Sequence, residues 1–140
     1  MHDCHHPIST ALYYEDQTDE ALRRSREFVR TRLPKFLGYF ERVLESAVAA
    51  APVAGDDGPW LYGGRLTYAD LVLFQCLDGT RHQFGRAVDR LEAGGEYARV
   101  FALYRAVRAR PRLQAYLGSA RRRPYANGIY RRYAELDVVE

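Results

Sequence analysis

Five consecutive residues near the start of the chain carry side chains that bind metals. They are His2, Asp3, Cys4, His5 and His6, and imidazole, thiolate and carboxylate groups are the usual protein ligands of zinc. On a helix only side chains three or four positions apart converge, so His2 with His5 or His6 supplies two ligands at most. No second cluster in the sequence supplies the others. We therefore predict no metal site and interpret the segment as part of a helix at an exposed terminus.

The basic C-terminal third suggests a different chemistry. No Asp or Glu occurs from Tyr97 to Ala134, and the tail mixes arginines with Tyr125, Tyr130 and Tyr133. Arginines bind phosphates and aromatic rings stack on bases, so the pattern is compatible with RNA binding. Arginines on solvated helix faces, with tyrosines that pack the tail onto the domain, are the commoner explanation. We favour that explanation and keep nucleic acid as the alternative.

The sequence shows no other recognisable catalytic arrangement. Ser, His and Asp do not occur at the spacing of a triad, and there is neither a glycine-rich phosphate loop nor a pair of neighbouring carboxylates. Cys4 and Cys76 lie far apart and form no CxxC motif, so we expect free thiols. We predict no catalytic residue and no bound cofactor.

Length and composition favour one domain in the cytoplasm. A chain of 140 residues with a net charge of +3 buries enough surface to fold without a metal or a disulfide. It has no apolar run of about 18 residues and no signal peptide, so a cytoplasmic location is the default.

The clearest structural signal is the start of a helix after residue 66. Thr67 and Asp70 have the spacing of a capping box, in which each side chain bonds the backbone amide of the other residue. Leu66 and Leu71 are placed for the hydrophobic staple that often accompanies it. The helix that follows, to about Phe84, is apolar almost all the way round. Such a helix belongs inside a bundle, and Gly79 is a possible kink in it.

Other segments show helical spacing of apolar residues. They run from about Thr18 to Arg32, from Pro34 to about Val48, from Tyr97 to Val107 and from Pro111 to Leu117, whereas 86–95 is interpreted as a connection. No segment alternates like a strand. We predict an all-α bundle of about five or six helices over residues 1–118, with 119–140 as an irregular Arg/Tyr-rich tail that packs on it.

Three ordered segments resemble the C-terminal helical domain of glutathione S-transferases of the sigma, mu and pi type. They are the run Gly-Pro-Trp-Leu-Tyr-Gly-Gly-Arg-Leu-Thr-Tyr-Ala-Asp-Leu from Gly58 to Leu71, Arg32 to Glu41 upstream, and Ala109 to Leu117 downstream. The resemblance implies a domain that forms the hydrophobic electrophile pocket and the contacts of a homodimer. In the family a thioredoxin-like half holds glutathione, the co-substrate, and carries the catalytic residue. The opening of the chain resembles the middle of the first helix of the helical domain, so we expect that half to be absent and the chain alone to be inactive.

The resemblance also assigns roles to single residues. Asp3 matches an acidic residue that reaches across the dimer to the amino group of glutathione, and Tyr13 matches a tyrosine of the electrophile pocket. Cys76 matches a cysteine of the pocket wall, and Val72, one turn earlier, would share that wall. A buried cysteine is also often just a small apolar side chain, and that interpretation stays open for Cys76.

A second function is compatible with the same resemblance. The fold also occurs as a non-catalytic assembly domain in translation factors and tRNA synthetases, and a basic tail suits such a role. The pocket residues that the resemblance implies, Asp3, Tyr13 and Cys76, do not suit a non-catalytic role. The sequence leaves open whether the chain is part of an enzyme or a separate interaction module.

Overall fold

The computed structural model describes residues 13–46, 58–62, 64–126 and 128–138. Its α-helices are α1 (Thr18–Glu27), α2 (Leu33–Glu45), α3 (Tyr68–Gln83), α4 (Gly85–Ala93), α5 (Ala98–Arg108) and α6 (Pro111–Leu117). Single 3-10 turns occur at Tyr14–Gln17 and Ala134–Leu136, and the described ranges contain no strand. The predicted all-α fold is confirmed. Asp3 and the His/Cys cluster lie outside the described residues, and no described helix is long and apolar enough to cross a membrane.

The first two helices are joined by one turn of π-helix, Phe28–Arg32. The amide of Leu33 donates to the carbonyl of Phe28, five residues back. Pro34 explains the wider turn, because proline has no amide to donate and its ring crowds the carbonyl four residues before it. The sequence predicted a new helix at Pro34, and α2 begins one residue earlier, at Leu33. It continues from α1 through the π turn without an intervening loop.

Helices α3 and α5 together form the centre of the domain. Helix α5 packs against both α2 and α3, and its inward side chains are Val100, Phe101, Leu103, Tyr104 and Val107, none more than 5% exposed. Helix α3 in turn packs against α4 as well as α5.

Residues 86–95, which we interpreted as a connection, contain helix α4. Ala87 and Val88 are buried on its inner face. Its start has no local side-chain cap, but the carboxylate of Asp137 accepts from the amide of Arg86 at 3.2 and 3.3 Å. The capping residue is 51 positions away, so the local sequence gives no start signal for this helix.

Helix α5 is also capped from a distance. Its N-terminal neighbour Tyr97 makes no side-chain cap, and the carboxylate of Glu41 on α2 accepts from the amides of Arg99 at 3.2 Å and Val100 at 3.0 Å. A carboxylate at this position also suits the positive end of the helix dipole. The bond therefore fixes α2 against α5 as well as capping the helix.

The tail after α6 is irregular apart from its 3-10 turn, and it packs on the helices. Tyr133 stacks on Tyr14 with ring centroids 3.7 Å apart, and the hydroxyl of Tyr14 donates to Glu135 at 2.7 Å. Tyr130 is buried against Gly79, where a Cβ atom would lie only 2.2 Å from the tyrosine ring. Gly79 therefore makes room for the tail. Helix α3 continues through it to Gln83.

Candidate functional site

The N-terminal end of α3, which we call its first end, is held by the carboxylate of Asp70. Its Oδ2 accepts from the amide of Thr67 at 2.7 Å and from the Thr67 hydroxyl at 2.9 Å, and both halves of the capping box are present. Its Oδ1 accepts from the amide of Leu61 at 2.7 Å. The sequence did not indicate this third bond, which ties the preceding turn to the helix. Asp70 is fully buried.

Beyond the cap, the first two turns of α3 present apolar side chains to solvent. Tyr68 is 83% exposed, Leu71 43% and Val72 57%. Leu66 packs partly against the core, so of the two predicted staple residues only Leu66 is held in the core. A helix without a polar stripe was expected to be buried all round, and this part of α3 corrects that expectation. We call Tyr68, Leu71 and Val72 the apolar patch.

Two residues of the predicted electrophile pocket, Val72 and Cys76, lie on α3. Val72 belongs to the apolar patch, and Cys76, one turn later, is a partly exposed free thiol. The backbone carbonyl of Cys76 accepts from the hydroxyl of Thr80 at 2.7 Å. Tyr13 is 82% exposed. None of the three lines the cavity that is described below.

The C-terminal end of α3, which we call its second end, carries polar side chains that are buried. Asp78, 9% exposed, accepts four hydrogen bonds from other elements. Its Oδ1 takes bonds from Tyr104 at 2.8 Å and Arg108 at 3.1 Å, both on α5. Its Oδ2 takes bonds from Arg122 and Tyr125 of the tail, both at 2.8 Å. This cluster, Asp78 with its four donors, joins α3, α5 and the tail at one carboxylate.

Ring contacts reinforce the cluster. The guanidinium group of Arg122 lies 4.8 Å from the centre of the Tyr125 ring, and the rings of His82 and Tyr125 are also 4.8 Å apart. The Tyr125 hydroxyl accepts from Gln75 at 3.0 Å while it donates to Asp78. Tyr125 is therefore held at its ring and at its hydroxyl.

An open cavity of about 290 Å³ lies over this cluster. It is lined by the side chains of Asp78, Arg81, His82, Tyr104, Arg108, Leu117, Arg122 and Tyr125. Three guanidinium groups thus face a single carboxylate. Arg81 also pairs with Glu92 and with Asp89, neither of which lines the cavity. The lining keeps an excess of positive charge.

The surroundings of the cavity shift the pKa values of three groups. Burial, followed by the hydrogen bond to Asp78, raises the pKa of Tyr125 to about 12 and moves that of Tyr104 in the same direction. Burial, followed by the charge of Arg132, lowers the pKa of His82. At neutral pH both tyrosines are therefore hydroxyl donors, and the His82 imidazole is neutral.

The cluster was missed in the sequence analysis because its members are distant in the chain. Tyr125 lies 47 positions from Asp78, and Arg122 lies 44. One signal was present, namely a carboxylate inside an otherwise apolar helical run, which needs a buried partner. Chemically the cavity offers guanidinium donors but no activated nucleophile, and both of its tyrosine hydroxyls already donate to Asp78. The described residues contain no group of three or more His, Cys, Asp or Glu side chains placed to hold a metal.

Comparison with known proteins identifies the family. The family model for the glutathione S-transferase C-terminal domain matches residues 2–120. A search of curated proteins gave no significant match. The matched range includes every α-helix of the structure, together with the capped start of α3. The chain therefore belongs to the family of glutathione S-transferase C-terminal domains.

Proposed function

We propose that this domain acts as the helical half of a glutathione S-transferase. In this role Val72, Cys76 and Tyr13 form part of the wall that receives a hydrophobic electrophile, and the domain pairs with a second copy of itself. Asp3 contacts the amino group of glutathione across that dimer. A thioredoxin-like domain supplies the glutathione thiolate, which is the attacking nucleophile of the conjugation. The helical domain alone does not conjugate glutathione.

The apolar patch is the observation that carries this proposal. Its three side chains are exposed at the first end of α3, directly beside the buried start of the helix. Contiguous exposed apolar side chains typically mark ligand grooves or interfaces. Ligand sites for hydrophobic molecules are lined mainly by apolar and aromatic groups with few polar ones, and tyrosine, leucine and valine fit that description.

Cys76 extends the apolar patch by one helical turn. It is the thiol among the described residues, and it is neither fully exposed nor fully buried. Its position next to Val72 on the helix surface supports a wall that a hydrophobic reagent can reach.

The structure gives less support to the alternative of an RNA-associated assembly module. The stacking rings that this alternative requires are engaged within the domain. Tyr133 stacks on Tyr14, Tyr130 lies against Gly79, and Tyr125 is bonded to Asp78. Arg122 is bonded to Asp78 as well. The tail therefore contributes to the packing of the domain.

Selective labelling of Cys76 tests the proposed pocket. We expect a small hydrophobic alkylating agent to modify Cys76 in the native protein, more slowly than Cys4 but much faster than global unfolding allows. A hydrophobic electrophile analogue added first should protect Cys76 and leave Cys4 unaffected. Peptide mass spectrometry measures both rates in one sample, so Cys4 serves as the internal control.

A variant adds specificity to this measurement. Val72→Ser makes the proposed wall polar at an exposed position, so it should weaken protection of Cys76 without lowering stability. Two results would contradict the proposal. One is labelling of Cys76 only after denaturation, which indicates a closed core. The other is protection that Val72→Ser leaves unchanged, which places the ligand elsewhere.

A further inference from the structure

The cavity over Asp78 lies at the second end of α3 and has a lining unlike that of the apolar patch. Its charged lining comes from α3, α5 and the tail, and it has an excess of guanidinium groups over carboxylates. We propose that this cavity is a second ligand site, which binds a small phosphate-bearing anion such as inorganic phosphate or a compact phosphate monoester. The site is separate from the proposed electrophile pocket and does not depend on it.

The hydrogen bonds of Arg108 and Arg122 support the binding of an anion in this cavity. Arg108 uses its Nη1 to bond Asp78 and Tyr104, and Arg122 uses its Nη2 to bond Asp78. These bonds orient both guanidinium groups along the cavity wall while their remaining N–H donors are available to a ligand. A planar fork of donors matches phosphate oxygens and binds them in pairs. Because Asp78 already holds the arginines, little conformational entropy is lost when the anion binds.

The burial and the net charge of the cavity arginines also favour the binding of an anion. The side chain of Arg122 is 24% exposed and that of Arg81 is 30% exposed, so their charges are partly removed from water. The carboxylate of Asp78 offsets one guanidinium group. Outside the lining, Asp89 and Glu92 offset the charges of Arg81 and Arg105. One arginine charge of the lining remains for a ligand, and partial desolvation strengthens its attraction to an anion.

The size of the cavity sets the class of ligand. A volume of about 290 Å³ lies at the lower end of the range of about 300–1,000 Å³ that is typical of small-molecule sites. Phosphate or a short phosphate monoester fits this space, whereas a nucleoside triphosphate exceeds it. The ring of Tyr125, fixed by Arg122 and His82, forms a rigid side against which a small organic group can pack.

Titration with inorganic phosphate tests the site. We expect saturable binding to the full chain by calorimetry, with the ring signals of His82 in NMR spectra moving along the same binding curve. A sugar monophosphate should compete with phosphate, and ATP should compete poorly. Chloride at the same ionic strength should not displace phosphate.

Two arginine variants on α5 provide a matched comparison. Arg108→Ala removes a cavity donor, and Arg105→Ala removes the same charge one turn away. The two side chains are similarly exposed, at 55% and 59%, and each pairs with one carboxylate. Because a hydrogen bond to a charged group is worth about 1.5–3 kcal/mol, Arg108→Ala should weaken phosphate binding by about tenfold or more. Arg105→Ala should change it by less than about twofold, since an exposed charge contributes little.

The proposal is overturned by three results. They are the absence of saturable binding at millimolar phosphate, equal losses in the two arginine variants, or equal competition by chloride. Equal losses would mean a diffuse effect of net charge. If Arg108→Ala does not fold by circular dichroism, His82→Gln replaces it. This variant should weaken binding several-fold, and unchanged affinity would count against the site.

Discussion

The two ends of helix α3 reverse the usual distribution of polar and apolar side chains. At its first end Tyr68, Leu71 and Val72 are exposed, whereas at its second end Asp78, Thr80 and Gln83 are buried. The first end is capped by residues within its own sequence, and the second is fixed by α5 and the tail. The difference shows that hydrophobicity alone does not tell which end faces the core. The partners brought by the rest of the chain decide it.

The largest loss of stability is expected from Asp78→Ala, which removes the acceptor at the second end of α3. This change leaves Arg122 and two tyrosine hydroxyls without their acceptor, and loss of one member of a buried charge pair costs about 3–5 kcal/mol. Because Arg108 is half exposed, we expect the lower value, about 3 kcal/mol, in the free energy of unfolding from urea denaturation. Asp89→Ala is the control, since Asp89 is 68% exposed in its pair with Arg81 and should change stability by less than about 0.5 kcal/mol. A loss below about 1 kcal/mol for Asp78→Ala would mean that the cluster does not hold the tail.

A smaller effect is expected at the first end from Thr67→Ala. The change removes the side chain of the capping box, and the loss of such a cap typically costs about 1 kcal/mol. The amide of Thr67 keeps its bond to Asp70, so the helix should still begin at the same residue. Thermal or urea unfolding measures the loss, and Thr67→Ser, which keeps the hydroxyl, should recover most of it. A change of only a few tenths of a kcal/mol would show that the backbone bonds of Asp70 suffice.

The smallest effect is expected within the apolar patch from Leu71→Ala. Leu71 is 43% exposed, whereas Leu73, two residues later, is 6% exposed. In dilute protein Leu71→Ala should change the free energy of unfolding by less than about 0.5 kcal/mol, while Leu73→Ala should cost about 2–5 kcal/mol. Comparable losses in the two variants would show that the patch is covered in solution, and the contrast between the two ends of α3 would then disappear.

Local patterns in the sequence predicted the features that local contacts determine. The start of α3 depends on Thr67 and Asp70, three positions apart, and its bounds were close to those observed. The start of α6 at Pro111 likewise follows from a proline in the first turn. The all-α class followed from helical periodicity in several segments, which does not depend on how the helices are arranged.

The remaining features depend on contacts between distant residues. Helix α4 was missed because its cap, Asp137, comes from the tail. The close approach of Tyr130 to Gly79 was missed for the same reason, since the two residues are distant in the chain. The cluster beneath the cavity required four donors from α5 and the tail to meet at Asp78 of α3. The roles of Val72, Cys76 and Tyr13 in a pocket came from family resemblance, and labelling of Cys76 is their test.

The π-helical turn between α1 and α2 has a consequence for the length of the chain. A π turn contains one residue more than an α turn, and the adjacent burial of Phe28 and Val29 marks the place where the apolar stripe shifts by one position. Deleting one residue there would keep the stripes of α1 and α2 in phase, but it would bring Pro34 into a regular α-helical turn, where its ring meets a carbonyl. Among related sequences, loss of the extra residue is therefore expected only together with loss of the proline. An insertion or deletion at this point should therefore be accompanied by a change of the residue at position 34.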